Sequence, residues 1–486
     1  MKSPSITRRA FLKAAGIAGT TAALSPQSWS QVAGANADIR LAMVGLNGRG
    51  GGLLKAFRQL KGVRIVALCD VNTEVLERAA KTFRDKGESV QTFVDLRDML
   101  ARPDIDAVVI ATPHHQHALQ AIWACQAGKD VYVEKPVSHN IWEGRQLVAA
   151  AHKYKRVVLP GMQSRSRGPI IEAVEWVRAG NLGRITSARA LCYKRRASIG
   201  KSTGPQPVPS TVNYDLWLGP APKTPLRRKN LNYDWHWQWA TGNGDLGNQG
   251  VHEMDIARWF LGERGMAPQT LSLGGRLGYE DDGETANTQV LVHQYPSAPL
   301  LFEVRGLPTK AESEQMDEYR GAAVGVVVTG EGGSIVVDAR KVQAFDRAGR
   351  PAREFKASKK DPVLVHFQNF LDVVRSRQMK DLPCQIEDGH ISSALCHAGN
   401  ISQRLGRALR PDELREKISG NPSLAEAFGR MTEHLAANGI DLIKTPLSLG
   451  VPLAYDATAE RFVDNAAANA LGTREYRQPF FVPKLT

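Results

Sequence analysis

Cysteine is scarce. The 486 residues hold five, Cys69, Cys125, Cys192, Cys384 and Cys396, spaced neither as metal ligands nor as a paired framework. That excludes a disulfide scaffold and a structural zinc module, and it marks most of the thiols as small buried apolar side chains. Long hydrophobic runs are missing too. The mildly apolar, Ala/Gly-rich stretch Ala14–Leu24 is too short and too weak for a membrane span. Acids are the minority charge, 49 Asp and Glu against 63 Lys and Arg, for a formal net charge of +14. The excess base is spread along the chain, with short clusters at Lys194–Arg196 and Arg227–Lys229 and no nucleic-acid module, so a nucleic-acid partner is not expected. Internal repeats and low-complexity segments are absent as well. What remains is an ordinary globular composition, 42% hydrophobic and 23% charged, long enough for two domains plus extensions.

The chain is organised around Ile39–Asp70. Ile39–Val44 is a short apolar run that reads as a buried parallel strand. Gly45, Gly48 and Gly50 follow, with Gly51 and Gly52 behind them. Leu53–Leu60 reads as a helix, and Val63–Cys69 as a second strand that ends on Asp70. A dinucleotide site needs each of these parts. Glycines let the backbone approach a pyrophosphate, and the helix N-terminus offers unpaired N–H groups. The carboxylate accepts a hydrogen bond from the adenosine ribose. The spacing is G-x-x-G-x-G, so the pattern draws its force from the strand before it and the helix after it. Gly45, Asn47, Gly48, Arg49 and Gly50 are therefore the expected cofactor turn. Asp70 favours NAD, because a carboxylate there repels a 2′-phosphate. Arg49 offers such a phosphate a partner, which leaves NADP open.

Strands and helices alternate onward. Helices are expected at Asn72–Lys86, Leu96–Ala101, Ala118–Ala127 and Trp142–Tyr154, and strands at Val90–Phe93, Asp106–Ala111, Asp130–Val133 and Arg156–Leu159. The result is a doubly wound parallel sheet with its ligands at the carboxyl ends of the strands. Thr112-Pro113, Glu134-Lys135-Pro136 and Gly161-Met162-Gln163 fall at such ends. Beyond Gln163 the pattern changes. Pro169–Ala179 is helical, and strands begin at Arg184–Tyr193. Lys194–Asn243 is long, rich in Pro, Trp and Tyr, and without clear period, which marks a functional loop. A helix at Gly250–Leu261 carries His252 and Asp255. Strands follow at Leu271–Leu277, Gln289–Tyr295, Leu300–Gly306, Ala323–Thr329 and Ser334–Val337, which read as a mostly antiparallel sheet with one covered face. Helices at Val363–Arg375 and Gly389–Leu405, two more helical stretches from Arg410 and a loop-rich tail from Thr445 complete the chain.

These residues resemble the glucose–fructose oxidoreductase and inositol dehydrogenase family (Gfo/Idh/MocA) over roughly residues 38 to 410. The resemblance rests on the glycine turn, Asp70, Thr112-Pro113 with His117, Glu134-Lys135-Pro136 and the His252-x-x-Asp255 helix. It implies an N-terminal Rossmann domain and a C-terminal α/β domain on an open sheet, with substrate between that sheet and the nicotinamide. It divides the chain into a leader at 1–37, a nucleotide domain at 38–163, a substrate and oligomerisation domain at 164–410 and an extension at 411–486. It implies a cis bond before Pro136, and homo-oligomers through the C-terminal sheet. It gives Lys135 the role of a substrate-contacting acid–base residue.

The residues support that chemistry directly. A lysine at a buried strand end is partly desolvated, which lowers its pKa toward the range of proton exchange. Histidine titrates in the right range to take a hydroxyl proton, so His252 joins Lys135 as a catalytic candidate. On a regular helix 248, 252 and 255 share one face. Many family members place an aspartate four residues before this histidine, and here the position is Asn248. Asparagine orients a hydroxyl but gives an imidazolium no charge partner. His252-Glu253-x-Asp255 lacks the second histidine of a zinc helix, so no metal is expected. His114, His115 and His117 cluster after a strand, with His117 expected near the nicotinamide. Glu134 is expected to pair with Lys135 or to pack on the cofactor. Gln163, Tyr193, Lys194, Tyr214, Trp235 and Trp237 are candidates to line a sugar site, since aromatic faces stack on pyranose C–H surfaces.

Thr7-Arg8-Arg9-Ala10-Phe11-Leu12-Lys13 has the form of a twin-arginine export signal, which places the expected enzyme in the periplasm or otherwise outside the cytoplasm. The leading expectation is an oxidoreductase of a sugar, cyclitol or sugar derivative with its cofactor recycled in the site. The alternative is an NAD-dependent glycoside hydrolase, like the exported N-acetylgalactosaminidases, that oxidises, eliminates and reduces again.

Overall fold

The computed structural model describes residues 38–228, 230–356 and 360–486. The twin-arginine motif lies outside them. Its first sheet has six parallel strands, β1 (Ile39–Val44), β2 (Val63–Cys69), β3 (Gln91–Phe93), β4 (Ala107–Ile110), β5 (Asp130–Val133) and β6 (Val158–Pro160), in the order β3-β2-β1-β4-β5-β6. β4 and β5 are buried throughout, as helices on both faces require. The strand order reverses between β1 and β4, so a crevice opens at their carboxyl ends. The first helix runs Arg49–Phe57 rather than from Leu53. Three glycines make a poor helix start by propensity. Close packing against β1 overrides that, because a Cβ on Gly50 would overlap the Gly45 carbonyl oxygen.

The second sheet has twelve strands. They are β7 (Ile185–Tyr193), β8 (Gln269–Gly275), β9 (Thr288–Gln294), β10 (Pro299–Arg305), β11 (Val324–Gly330), β12 (Gly333–Asp338), β13 (Val342–Asp346), β14 (Pro351–Phe355), β15 (Arg407–Leu409), β16 (Leu447–Leu449), β17 (Leu453–Asp456) and β18 (Arg461–Phe462). β7 and β10 are parallel neighbours, and every other pairing is antiparallel. One face carries Ala188, Ala190, Cys192, Leu300, Phe302 and Val304, packed in one core with the helices Val251–Leu261 and Ile386–Arg404. The other face is covered in part by the helix Pro422–Ala437, whose Leu424, Phe428, Met431 and Leu435 close over Leu273, Val290, Val292 and Leu301. β13 and β14, β15 just before Arg410, and the short strands β16–β18 within the tail read as loop, are additions that the sequence pattern did not announce. Unlike the equally short β4 and β5, these strands hold no continuous apolar run to mark them.

Candidate functional site

The crevice at the carboxyl ends of β1 and β4 widens into a cleft of 570 Å³, within the size range of small-molecule sites. A more open groove of 1060 Å³ lies between the helix Ile141–Lys153 and the C-terminal strands. It contains none of the glycine turn or the strand-end residues, so the chemistry belongs to the smaller cleft.

The turn comes first. Gly45 and Gly48 have φ of 75° and 49°, left-handed backbone that favours glycine. A Cβ on Gly45 would stand 2.8 Å from the Ala111 carbonyl oxygen across the crevice. No side chain caps the helix at Arg49 and no acid stands in its first turn, which leaves that end open to an anion. Asn47, Gly48 and Arg49 line the cleft, and Gly50 lies beneath Gly45 rather than on the wall. Asp70 ends β2. Its Oδ2 accepts from the Leu46 N–H at 2.8 Å and its Oδ1 from the Asn72 N–H at 2.9 Å. Burial pushes its pKa up, against those two N–H groups and Arg78. A bare cradle, an open helix end and a carboxylate at the second strand fit the pyrophosphate and ribose of NAD.

The strand-end residues follow. Thr112 and Pro113 line the cleft after β4, and Thr112 Oγ1 lies 2.8 Å from Gln120 Oε1. The His117 ring stands 2.6 Å from the Thr112 carbonyl oxygen and 2.7 Å from that of Pro136, so it braces one strand-end loop against the next. His115 braces likewise, 2.9 Å from the Trp217 carbonyl oxygen. Glu134 accepts from Arg49 Nε at 2.8 Å. Burial works to raise its pKa, but Arg49 and Lys135 outweigh it and hold the carboxylate low. The Gln163 amide sits 2.7 Å from Tyr132 Oη, behind Glu134. Gln163 thus belongs to the support of Glu134 and is not among the residues that line the cleft.

Lys135 is the centre of the site. The peptide bond to Pro136 is cis, as the resemblance implied. Burial pulls the Lys135 pKa down, against the attraction of Glu134. Its Nζ donates to the main-chain carbonyl of Asn248. That contact corrects the expectation of a regular helix face. Leu246–Gly250 is a π-helical turn, wider than an α-turn, and it brings the Asn248 carbonyl to Lys135. Gly250 is required there, since a Cβ would press on the Phe302 ring at 2.7 Å. His252 follows on the helix Val251–Leu261. It is partly exposed but not among the residues that line the cleft, its Nδ1 is buried without a partner, and desolvation, helped by Lys135, takes its pKa down to about 3. Asp255 is drawn elsewhere, into a buried bidentate pair with Arg165 at 2.7 and 2.9 Å, and does not join the site.

The aromatic candidates divide. Trp235 lines the cleft, edge-on to His114 at 4.7 Å and stacked on His236 at 3.6 Å. Trp237 is buried, with the Arg196 guanidinium 5.4 Å above its ring, and Tyr214 stacks on Trp217. Tyr193 is on the far face of the second sheet, where its hydroxyl donates to Glu303 at 2.6 Å. Strand parity explains the miss: Cys192 faces the helix of His252, so Tyr193 faces away. Lys194 beyond it is exposed.

His236 was missed altogether. It lines the cleft, its Nδ1 is 2.7 Å from the Tyr233 carbonyl oxygen, and burial takes its pKa down to about 3. The hydrogen bond assigns the proton to Nδ1 and leaves Nε2 as the acceptor. The available signal was a histidine between two tryptophans, Trp235-His236-Trp237, in the long loop. The five cysteines are all free and buried.

Two family models match in chain order: the oxidoreductase family's NAD-binding Rossmann fold over residues 39–162, and its C-terminal alpha/beta domain over residues 184–289. Among curated proteins, a glycosyl hydrolase family 109 protein of Shewanella amazonensis is 34% identical over 172 residues, which is 31% of this chain and 38% of that protein. The chain thus spans well under half the length of the curated relatives it matches. Among solved structures, the WlbA dehydrogenase of Bordetella pertussis, crystallised with NADH and UDP-GlcNAcA, is 20% identical with a TM-score of 0.54, over 74% of this chain and 94% of that one. The aldose-aldose oxidoreductase of Caulobacter crescentus is 19% identical with a TM-score of 0.55, over 74% and 96%. These two likenesses establish the fold.

Proposed function

We infer that this chain, which carries the NAD-binding and C-terminal domains of the Gfo/Idh/MocA oxidoreductase family, oxidises a hydroxyl of a sugar, cyclitol or sugar derivative and keeps its NAD in place between turnovers. The observation that carries this reading is Lys135. It is half-buried and desolvated at the carboxyl end of β5, held by the Asn248 carbonyl, on the wall of the cleft that the glycine turn opens. NAD, when bound, supplies the hydride acceptor. Lys135 takes the hydroxyl proton, because burial favours its neutral amine. His252, partly exposed and close enough for the Lys135 charge to lower its pKa, is the second acid–base candidate. His236 Nε2 offers an acceptor on the same cleft's lining, and Trp235 a face for the C–H surface of a ring.

The twin-arginine motif supports export, and free NAD is scarce outside the cytoplasm. An exported enzyme therefore returns the hydride within the site, to a second sugar or to the first. The likeness to proteins named glycosyl hydrolase family 109 favours the form in which the hydride returns to the first sugar and the cycle serves glycoside cleavage. The test is to assay the purified protein, without added NAD, on a panel of aldoses, cyclitols and aryl glycosides. Product formed with no net NADH supports the reading, and hydrolysis of an aryl glycoside selects the second form. Turnover only with added NAD, releasing NADH one for one, returns a simple dehydrogenase.

A further inference from the structure

If the glycine turn takes the pyrophosphate and Asp70 the ribose, the adenine lies beyond Asp70. That end of the cleft is closed by two segments distant in sequence. The first is the loop around Val212, which is tied to the residues after Asp70. Thr73 N–H donates to the Thr211 carbonyl at 2.8 Å, and Asn213 N–H to the Val71 carbonyl at 2.9 Å. The second is the end of the chain. Phe480 lines the same cleft, is 3% exposed, and shares a core with Val44, Cys69 and Leu96 of the nucleotide domain. Its ring centroid lies 6.2 Å from that of Trp123, and the Arg477 guanidinium sits 4.5 Å above it.

Arg477 also joins the two segments. It donates to Asp215 Oδ1 at 2.9 Å and to the Ala221 carbonyl at 3.2 Å, both in the loop. Past Phe480 the chain is held again, where Gln146 Nε2 donates to Thr486 Oγ1 at 2.8 Å. Lifting this segment breaks the Arg477 bonds and exposes Phe480 and Val482 together, which amounts to a local unfolding event.

We propose that residues 474–486 form the outer wall of an adenine subsite and act as a clasp that keeps NAD resident in the protein. This rests on the NAD reading above and adds to it the part of the chain that does the holding. Adenine stacks against the aromatic wall, and the cofactor leaves no faster than the clasp opens.

The test follows dinucleotide, not activity. Full-length protein, Phe480→Ala and Arg477→Ala are loaded with NAD, passed through gel filtration and mixed with isotopically labelled NAD, and the exchange is read by mass spectrometry. The unsubstituted protein should keep its NAD and exchange slowly. Both variants should exchange at least about tenfold faster, the equivalent of about 1.4 kcal/mol in the closed state. Cooperative melting shows that each variant is folded. Arg477 is partly exposed and is not part of the apolar core that holds Phe480, so Arg477→Ala carries the test if Phe480→Ala does not fold. Folded variants that exchange no faster than the unsubstituted protein overturn the clasp. Unsubstituted protein that binds NAD but exchanges it at once overturns residence while leaving the cofactor reading intact. Protein that never takes up NAD overturns both.

Discussion

At the scale of the residue, the site turns on two groups whose charge is costly where they stand. Lys135 and His252 are both desolvated, and the Lys135 charge raises the cost of charging His252. Lys135→Ala and His252→Ala should each lower turnover by about 10²–10⁴-fold, the usual contribution of a positioned acid–base group. NAD content should be unchanged in both, since neither residue builds the glycine turn; steady-state rates and cofactor stoichiometry check the two halves. Asp70→Ser makes a different prediction. It removes the charge that repels a 2′-phosphate and frees Arg78, whose charge acts on Asp70. It also removes the acceptor of the Leu46 and Asn72 N–H groups. NAD affinity should fall and the NAD-to-NADP preference should narrow, as titration with each dinucleotide will show; an unchanged preference removes Asp70 from cofactor selection. Lys135 and Asp70 were legible because each sits at a strand end that the apolar pattern locates, and His252 because its helix shows a period. Tyr193 was misplaced because parity along a strand cannot be read until the covered face is known. His236 was overlooked because a long loop carries no period.

At the scale of the element, the helix Val251–Leu261 carries the site on a π-helical turn and pays for it with a buried acid. Glu253 accepts from Gln249 Nε2 at 3.0 Å, but its Oε2 has no partner. Burial pushes its pKa from 4.5 up to about 8. A raised pKa gives stability that is fully present below 4.5 and is lost as pH rises through about 8. Glu143, also pushed up to about 8 by burial, acts in the same direction. His252, desolvated beside Lys135, acts oppositely, with stability present above 6.5 and lost as pH falls toward 3. Glu253→Gln keeps the shape and removes the charge. It should raise stability by a few kcal/mol above pH ~8 and do little near pH ~5. Thermal melts of both proteins across that window check it, and parallel curves would show that Glu253 is not the group responsible. Sequence periodicity located this helix to within a residue at its start. The π-turn before it was not legible, because it depends on Gly250 meeting Phe302 from a strand fifty residues on.

At the scale of the whole molecule, the extension after residue 410 changes what the second sheet can do. The family resemblance led to an expectation of oligomers through a bare sheet face. Here the chain covers much of that face itself. The helix Pro422–Ala437 lies over β8, β9 and β10, and Arg430 from that helix and Arg189 from β7 converge on the buried carboxylate of Glu303. Next to it, Met316 and Tyr319 pack on Leu191, Tyr193, Val327 and Val336. A second copy docking on this region would have to displace a helix anchored by apolar contact and by an ion cluster. Phe428 is the test of that anchoring, at 1% exposure in the middle of the seam. Phe428→Ala should cost about 3–5 kcal/mol, the range for deleting a buried aromatic ring. If the helix is an integral cover, that loss appears in denaturant unfolding as a shift in midpoint, while sedimentation velocity gives the unsubstituted protein the same mass at every concentration measured on this face's account. A near-neutral Phe428→Ala, or a dimer whose cross-links map to β8–β10, would mean that the helix lifts away in solution and that the sheet is free for a partner after all.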